Sequence, residues 1–169
     1  MIEFIDAQDQ KPGIVESILE QSYAELLKSD ASLWEPERTN WKKFDSDVFN
    51  EPETVGACIF YSRMDDRLVG FASWDPRQWP RQGIIGHNCI LPEFRGRGFG
   101  KRQVREILRR FSKTGFAKAL VLTCDHPFFA PARHMYEACG FSEMRRRPWE
   151  RAPGLSLIEY ELKVVPNIN

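Results

Sequence analysis

Nothing in this sequence tips its charge. Lysine plus arginine and aspartate plus glutamate number 24 each, so overall electrostatics favour neither nucleic acid nor an anionic membrane. Any such partner would need a local cluster of charge. Long apolar runs are missing too: no stretch approaches the roughly 18 consecutive apolar residues of a membrane span. The opening MIEFIDAQDQ lacks the basic segment and apolar core of a secretory signal. The four cysteines, Cys58, Cys89, Cys124 and Cys139, form no C-x-x-C pair. Each lies in an apolar segment, as small buried hydrophobes do in a reducing cytosol. His87, His126 and His134 supply no H-x-x-x-H helical face, so no metal is expected. Internal repeats and low-complexity tracts are absent as well. A 42% apolar content over 169 residues suffices for one core. The expectation is a single cytoplasmic domain over residues 1–169, with neither membrane nor nucleic acid as partner.

What is present is an alternation of strand and helix signals. MIEFIDA alternates as a first strand, and Pro12 opens a helix whose stripe of Ile14, Val15, Ile18, Leu19, Leu26 and Leu27 runs to about Lys28. SDASLWEPERTN reads as a turn-rich break, followed by a shorter helix carrying Trp41, Phe44, Val48 and Phe49. TVGACIFYSRM and RLVGFASWD, joined at Asp65-Asp66, predict a tight hairpin. IIGHNCIL is a buried strand, and the next helix carries Val104, Ile107, Leu108 and Phe111 at helical spacing. KALVLTC is another buried strand, and APARHMYEACG a short helix closed by Gly140. Phe141 to Arg147 and Leu155 to Val164 predict closing strands, the second with an irregularity. The order β-α-α-β-β-β-α-β-α-β-β defines a mixed α/β layer structure.

The most informative stretch is LPEFRGRGFGKRQVREILRRF, Leu91 to Phe111. A phosphate-binding P-loop needs Gly where Arg95 stands and Ser or Thr where Arg102 stands. A dinucleotide fingerprint would need a third glycine at Lys101 and an acidic anchor in FAKALVL. Neither pattern is met. What remains is a strand, Pro92, a turn with glycines at 96, 98 and 100, and a helix. Alternate glycines let the backbone approach an anion, and the first N–H groups of a helix have no acceptor of their own. On these residues alone a diphosphate seat and a solvated basic turn stand level. An RNA-binding Arg-Gly segment is the weaker third reading, since such segments are generally longer and disordered.

The pattern Arg/Gln-x-x-Gly-x-Gly/Ala after a buried strand resembles the acyl-CoA pyrophosphate loop of the GCN5-related N-acetyltransferases (GNAT). Arg95, Gly98 and Gly100 match it, and the element order is similar to that family's fold: a mostly antiparallel central sheet flanked by helices. A second landmark, A-x-x-L/M-Y-E-x-x-G-F, is met by Ala132, Met135, Tyr136, Glu137, Gly140 and Phe141. The likeness spans roughly Asp66 to Phe141. It implies acetyl-CoA as donor and an amine as acceptor. Arg95, Gly96, Arg97, Gly98, Phe99, Gly100 and Lys101 would seat the pyrophosphate. The backbone of Asn88, Cys89, Ile90 and Leu91 would guide the pantetheine arm, with the Ile90 N–H facing the thioester oxygen. Tyr136 would protonate the departing thiolate as general acid, a task suited to a phenol whose ordinary pKa is near 10.

Two positions depart from the family pattern. Phe129 stands where relatives often carry Asn, with His126 or Asp125 as substitutes. Gly86 stands where many carry a catalytic Glu. His87 is the alternative base, although an imidazole in an apolar strand is ordinarily a hydrogen-bonded core residue. Arg133 is read as a surface arginine that could meet the nucleotide end. For the acceptor the sequence offers Tyr23, Trp34, Glu35, Glu37, Trp41, Trp74, Asp75, Trp79 and Trp149, aromatics and carboxylates that suit an ammonium group. Two rivals stand beside an amine N-acetyltransferase: a noncatalytic acyl-CoA-binding module and a protein N-terminal acetyltransferase. The oligomeric state is open, a homodimer being common where a sheet edge is exposed.

Overall fold

Why alternating and helical apolar periods condense into one sheet is visible in the computed structural model, which describes residues 2–165. The strands are β1 (Ile2–Asp6), β2 (Ile59–Met64), β3 (Arg67–Asp75), β4 (Gly83–Ile90), β5 (Lys118–Cys124), β6 (Ser142–Pro148) and β7 (Ser156–Lys163). The helices are α1 (Ile14–Ser22), α2 (Ala24–Ser29), α3 (Ala31–Trp34), α4 (Glu37–Asn50), α5 (Phe99–Thr114) and α6 (Ala130–Ala138). The sheet order is β1-β2-β3-β4-β5-β7-β6. Pairs β1–β2, β2–β3, β5–β7 and β6–β7 are antiparallel and β4–β5 is parallel. This is the expected mixed, mostly antiparallel sheet with flanking helices. No helix among the described residues is long and apolar enough to cross a membrane.

Two compact units make up the chain: the residues up to Ser73 with His87–Gly100, and Trp74–Gly86 with the residues from Lys101 on. In the first, Val15, Ile18 and Leu19 of α1 and Trp41 and Val48 of α4 pack with Ile59, Tyr61, Val69 and Phe71 of β2 and β3. The hairpin forms as predicted, with Asp65 and Asp66 both at positive φ (49° and 60°) and Met64 opposite Arg67. A two-residue loop of that kind matches the right-handed twist of its strands.

The helical part differs from expectation. The single helix predicted from Pro12 to Lys28 is broken at Tyr23 (φ −109°, ψ 11°) into α1 and α2. The supposed break contains α3, and α4 is longer than α1. Asp30 caps α3 through its carboxylate, which accepts from Leu33 N–H. Asp45 of α4 takes over the capping of α1, accepting from the N–H groups of Gly13 (2.7 Å), Val15 (2.9 Å) and Glu16 (3.3 Å). A cap borrowed from a residue thirty positions away leaves no local signature.

In the second unit Val104, Ile107 and Phe111 of α5 are fully buried, as are Ala119 of β5 and Ile158 of β7. The irregularity expected in the last strand lies instead in β6. Its register against β7 shifts between Glu143 and Arg145, while β7 pairs with β5 without interruption. All of β6 is exposed, and its run of arginines suits an edge strand that must not pair with a stranger.

Candidate active site

The candidate residues fall into the two units. In the first unit, β4 ends where Leu91 N–H donates to Val69 O at 2.8 Å. A single 3-10 turn, Pro92–Phe94, follows. Phe94 and Phe99 are both buried in the core, their rings 6.5 Å apart. Between these anchors Arg95, Gly96, Arg97 and Gly98 are exposed. Gly96 and Gly98 are left-handed (φ 74° and 78°), and a Cβ built on either would meet nothing within 4 Å. The corner in front of α5 is therefore open, with successive backbone groups curled as in an anion-binding nest.

The arginines beside it divide their work. Arg97 lies over the Phe94 ring at 5.7 Å, which Arg67 also covers at 4.8 Å. Arg95 turns away from the corner: its Nε donates to Ile90 O at 3.1 Å, and its Nη2 donates to Ser22 O at the end of α1. Asn88 Nδ2 reaches Gly100 O at 3.5 Å. Arg95 and Asn88 thus brace the turn and the strand against each other.

The strand itself is shaped by Gly70. A Cβ there would lie 1.9 Å from the carbonyl oxygen of Cys89, so the Cys89–Ile90 peptide rests directly on β3. In a trans peptide the C=O and N–H point in opposite directions. The Ile90 N–H, the nominated oxyanion donor, consequently points away from Gly70. The Cys89 thiol is buried and 3.6 Å from the Tyr23 hydroxyl. Burial pushes it up to about 12, against the smaller opposing effects of Tyr23 and Arg95. A thiol held there stays protonated at neutral pH.

Some of the acceptor candidates meet on the same unit. Tyr23 stacks on Trp41 (centroids 5.4 Å, 22°) and stands 6.4 Å from the ring of His87. Phe44 and Phe71 complete the surround at 5.5 Å and 6.0 Å. The backbone N–H of His87 donates to Ser73 Oγ at 3.0 Å. Burial lowers the imidazole to about 4, while the nearby charge of Glu37 pulls the other way. Phe44 and Phe71 read in the sequence only as core positions, and no local signal tied them to His87. Trp34 is buried, and Glu35 pairs with Arg38. A surface hollow of about 520 Å³ at Asp9–Ile14 and Ser17 holds none of the candidates.

In the second unit, Tyr136 sits within α6, 5% exposed, its ring 5.7 Å from Phe141. The turn leading into α6 is locked from several sides. Asp125 accepts from Ser156 N–H at 2.7 Å, which is the main cause holding its carboxyl below the usual range. His126 Nδ1 accepts from Phe128 N–H at 3.2 Å. Arg133 is no free surface arginine: its Nη1 donates to Cys124 O at 2.7 Å and to His126 O at 3.2 Å. His126 and Asp125, proposed as stand-ins for the missing Asn, are thus engaged in building the turn. Trp74 packs edge-on to Phe111 at 6.2 Å, Asp75 is held by Arg77, and Trp149 lies under Arg151. Trp79 is 61% exposed, with its indole N–H on Thr114 O.

A family model described as the acetyltransferase (GNAT) family matches residues 20–141. A search of curated proteins gives no significant match. Among solved structures, a protein from Desulfovibrio desulfuricans assigned to the GNAT family is similar with TM-score 0.78 at 18% identity, covering 98% of this chain and 100% of its own. The ribosomal-protein-S18-alanine N-acetyltransferase of Escherichia coli is similar with TM-score 0.54 at 18% identity, over 66% of this chain and 72% of its own. A GNAT acetyltransferase from Elizabethkingia anophelis with acetyl-CoA bound gives 0.55 at 12% identity, over 62% and 74%. At these identities the likeness is one of fold.

Proposed function

The chain belongs to the acetyltransferase (GNAT) family and is an acyltransferase, and from that premise we propose that it moves an acetyl group from acetyl-CoA to a primary amine by direct attack. One observation carries the assignment: the open, left-handed Gly96 and Gly98 turn held between buried Phe94 and Phe99 at the start of α5. A left-handed turn opening a helix, together with the helix dipole, suits a diphosphate, with Arg97 and Lys101 supplying charge. Gly100 lies in the first turn of the helix, and Phe99 anchors it. Arg95 acts from behind, fixing the Ile90 carbonyl. The Asn88–Leu91 backbone guides the pantetheine arm, and the Ile90 N–H stabilises charge growing on the thioester oxygen.

Chemically, the amine nitrogen bonds to the thioester carbon as the carbon–sulfur bond breaks. Tyr136 donates its hydroxyl proton to the leaving thiolate. The neutral Cys89 thiol supports direct attack over an acyl-enzyme route.

Thermal shift with CoA and acetyl-CoA, followed by thiol release across a panel of small amines and peptide N-termini, tests this. Ligand at a hundredfold excess over Kd adds about 2.7 kcal/mol of stability. Acetyl-CoA binding with release of thiol in the presence of an amine is the expected result. Binding without turnover on any amine would mean a noncatalytic acyl-CoA module, and turnover confined to peptides a protein N-terminal acetyltransferase.

A further inference from the structure

CoA carries phosphate in two places, the diphosphate within its chain and a phosphomonoester on the ribose 3′-oxygen. The glycine turn before α5 suits the first. We propose that Arg67 and Arg97, both held on the ring of Phe94, form a separate seat for the second, so that the protein distinguishes CoA from its 3′-dephospho form. The inference rests on the reading of that turn as a CoA seat. It adds Arg67, a residue of another strand that the reading does not use.

Position comes first. Arg67 opens β3, opposite Met64 at the foot of the β2–β3 hairpin, and Arg97 stands between the left-handed Gly96 and Gly98. Their guanidinium carbons nevertheless lie over one ring, that of Phe94, at 4.8 Å and 5.7 Å. The ring itself is fixed. Phe94 is 3% exposed, its N–H donates to Leu91 O at 2.9 Å, and it meets Phe99 edge-on. An anchored aromatic ring that attracts two cations sets the place of both. Both remain open to ligand, since the Arg67 side chain is 66% exposed and Arg97 is exposed as well.

Two like charges placed on one ring repel, and their surroundings compensate them only in part. Glu93 reaches Arg67 at 3.5 Å with its own side chain 52% exposed, a surface pair weak enough to yield to a better anion. Asp66, next to Arg67 in the chain, acts on Arg63, which is bound to Glu3. Arg95 is turned to the carbonyls of Ile90 and Ser22. Arg97 has no carboxylate partner among the described residues. One carboxylate therefore stands against two guanidinium groups. A phosphomonoester carries nearly two negative charges at neutral pH and three acceptor oxygens. Each guanidinium offers a planar fork of donors that pairs with phosphate oxygens two at a time. The diphosphate has the turn and the helix dipole to meet it, and Arg97, within that turn, borders both groups. Arg67 serves the monoester alone.

The test is calorimetric titration of wild type, Arg67→Gln and Arg97→Gln with CoA and with 3′-dephospho-CoA. Both positions are exposed and glutamine is polar and uncharged, so the variants are expected to fold, as a thermal melt would check. Wild type should bind CoA at least about tenfold more tightly than the dephospho form. In Arg67→Gln that ratio should fall to about threefold or less, through lost affinity for CoA while the dephospho form binds as before. Arg97→Gln should shrink the ratio too, and also weaken the dephospho form. An arginine that only covers Phe94 would change both affinities alike and leave the ratio intact. The proposal is overturned if wild type binds the two forms within about twofold, or if the ratio survives in either variant. In those cases the turn still stands as a CoA seat. Should wild type bind neither form, that reading fails and this proposal fails with it.

Discussion

Tyr136 is almost wholly buried in α6, and the proposed acid there can be removed without disturbing its packing. Tyr136 needs only its hydroxyl, so Tyr136→Phe changes one atom in a packed site. The expected outcome is a kcat 10²- to 10³-fold lower with an unchanged acetyl-CoA thermal shift, read by thiol release. His87 has its charge suppressed by burial. Its native pKa of about 4 lies below the ordinary 6.5, so between those values the unfolded chain holds a proton that the folded chain does not. Stability contributed by this residue is complete above pH 6.5 and is lost as pH falls toward 4. The loss is at most on the order of 3 kcal/mol. Urea unfolding at pH 7 and pH 4.5 should show a smaller drop for His87→Gln than for wild type, the carboxylates being common to both.

At the scale of elements, the turn before α5 and the cap on α1 are the two places where one residue governs a whole segment. Gly98 is left-handed in open space, so Gly98→Ala meets no neighbour and bears only the backbone penalty, roughly 1–2 kcal/mol. If that left-handed turn seats the diphosphate, CoA affinity measured by calorimetry should fall at least tenfold, more than global stability would suggest. Asp45 satisfies N–H groups at the start of α1 from the body of α4. Asp45→Ala strands them in a buried place, and denaturant unfolding should report a loss of about 2–3 kcal/mol. Since α1 ends at Ser22, whose carbonyl Arg95 holds, and at Tyr23 beside His87, the same variant should raise KM for the amine more than for acetyl-CoA.

For the molecule as a whole, balanced charge and a pI near 6.8 leave little self-repulsion at neutral pH. Solubility in a polyethylene glycol series should pass through a minimum near that pH and rise on either side. Retention on a DNA column at physiological salt should be negligible, as the basic run of α5 is partly neutralised by Glu106, which pairs with Arg109 and Arg110, and Arg146 in the arginine run of β6 pairs with Glu143 and Asp125.

The sequence alone determined whatever is written between near neighbours. The spacing of Arg95, Gly98 and Gly100, the turn chemistry of Asp65-Asp66, the order of strands and the helix bearing Tyr136 all follow from periods of two or about four residues and from local turn preferences. Tertiary structure decided what depends on segments meeting. Tyr23, Glu37, Phe44, Phe71 and His87 come from separate elements, and no short-range pattern records that they share one neighbourhood. The same is true of Arg95 reaching Ser22, Arg133 reaching Cys124, and Asp45 capping α1 so that the predicted first helix ends at Tyr23. A carbonyl or an N–H looks alike at every position in a sequence, and only folding determines which side chain arrives to satisfy it.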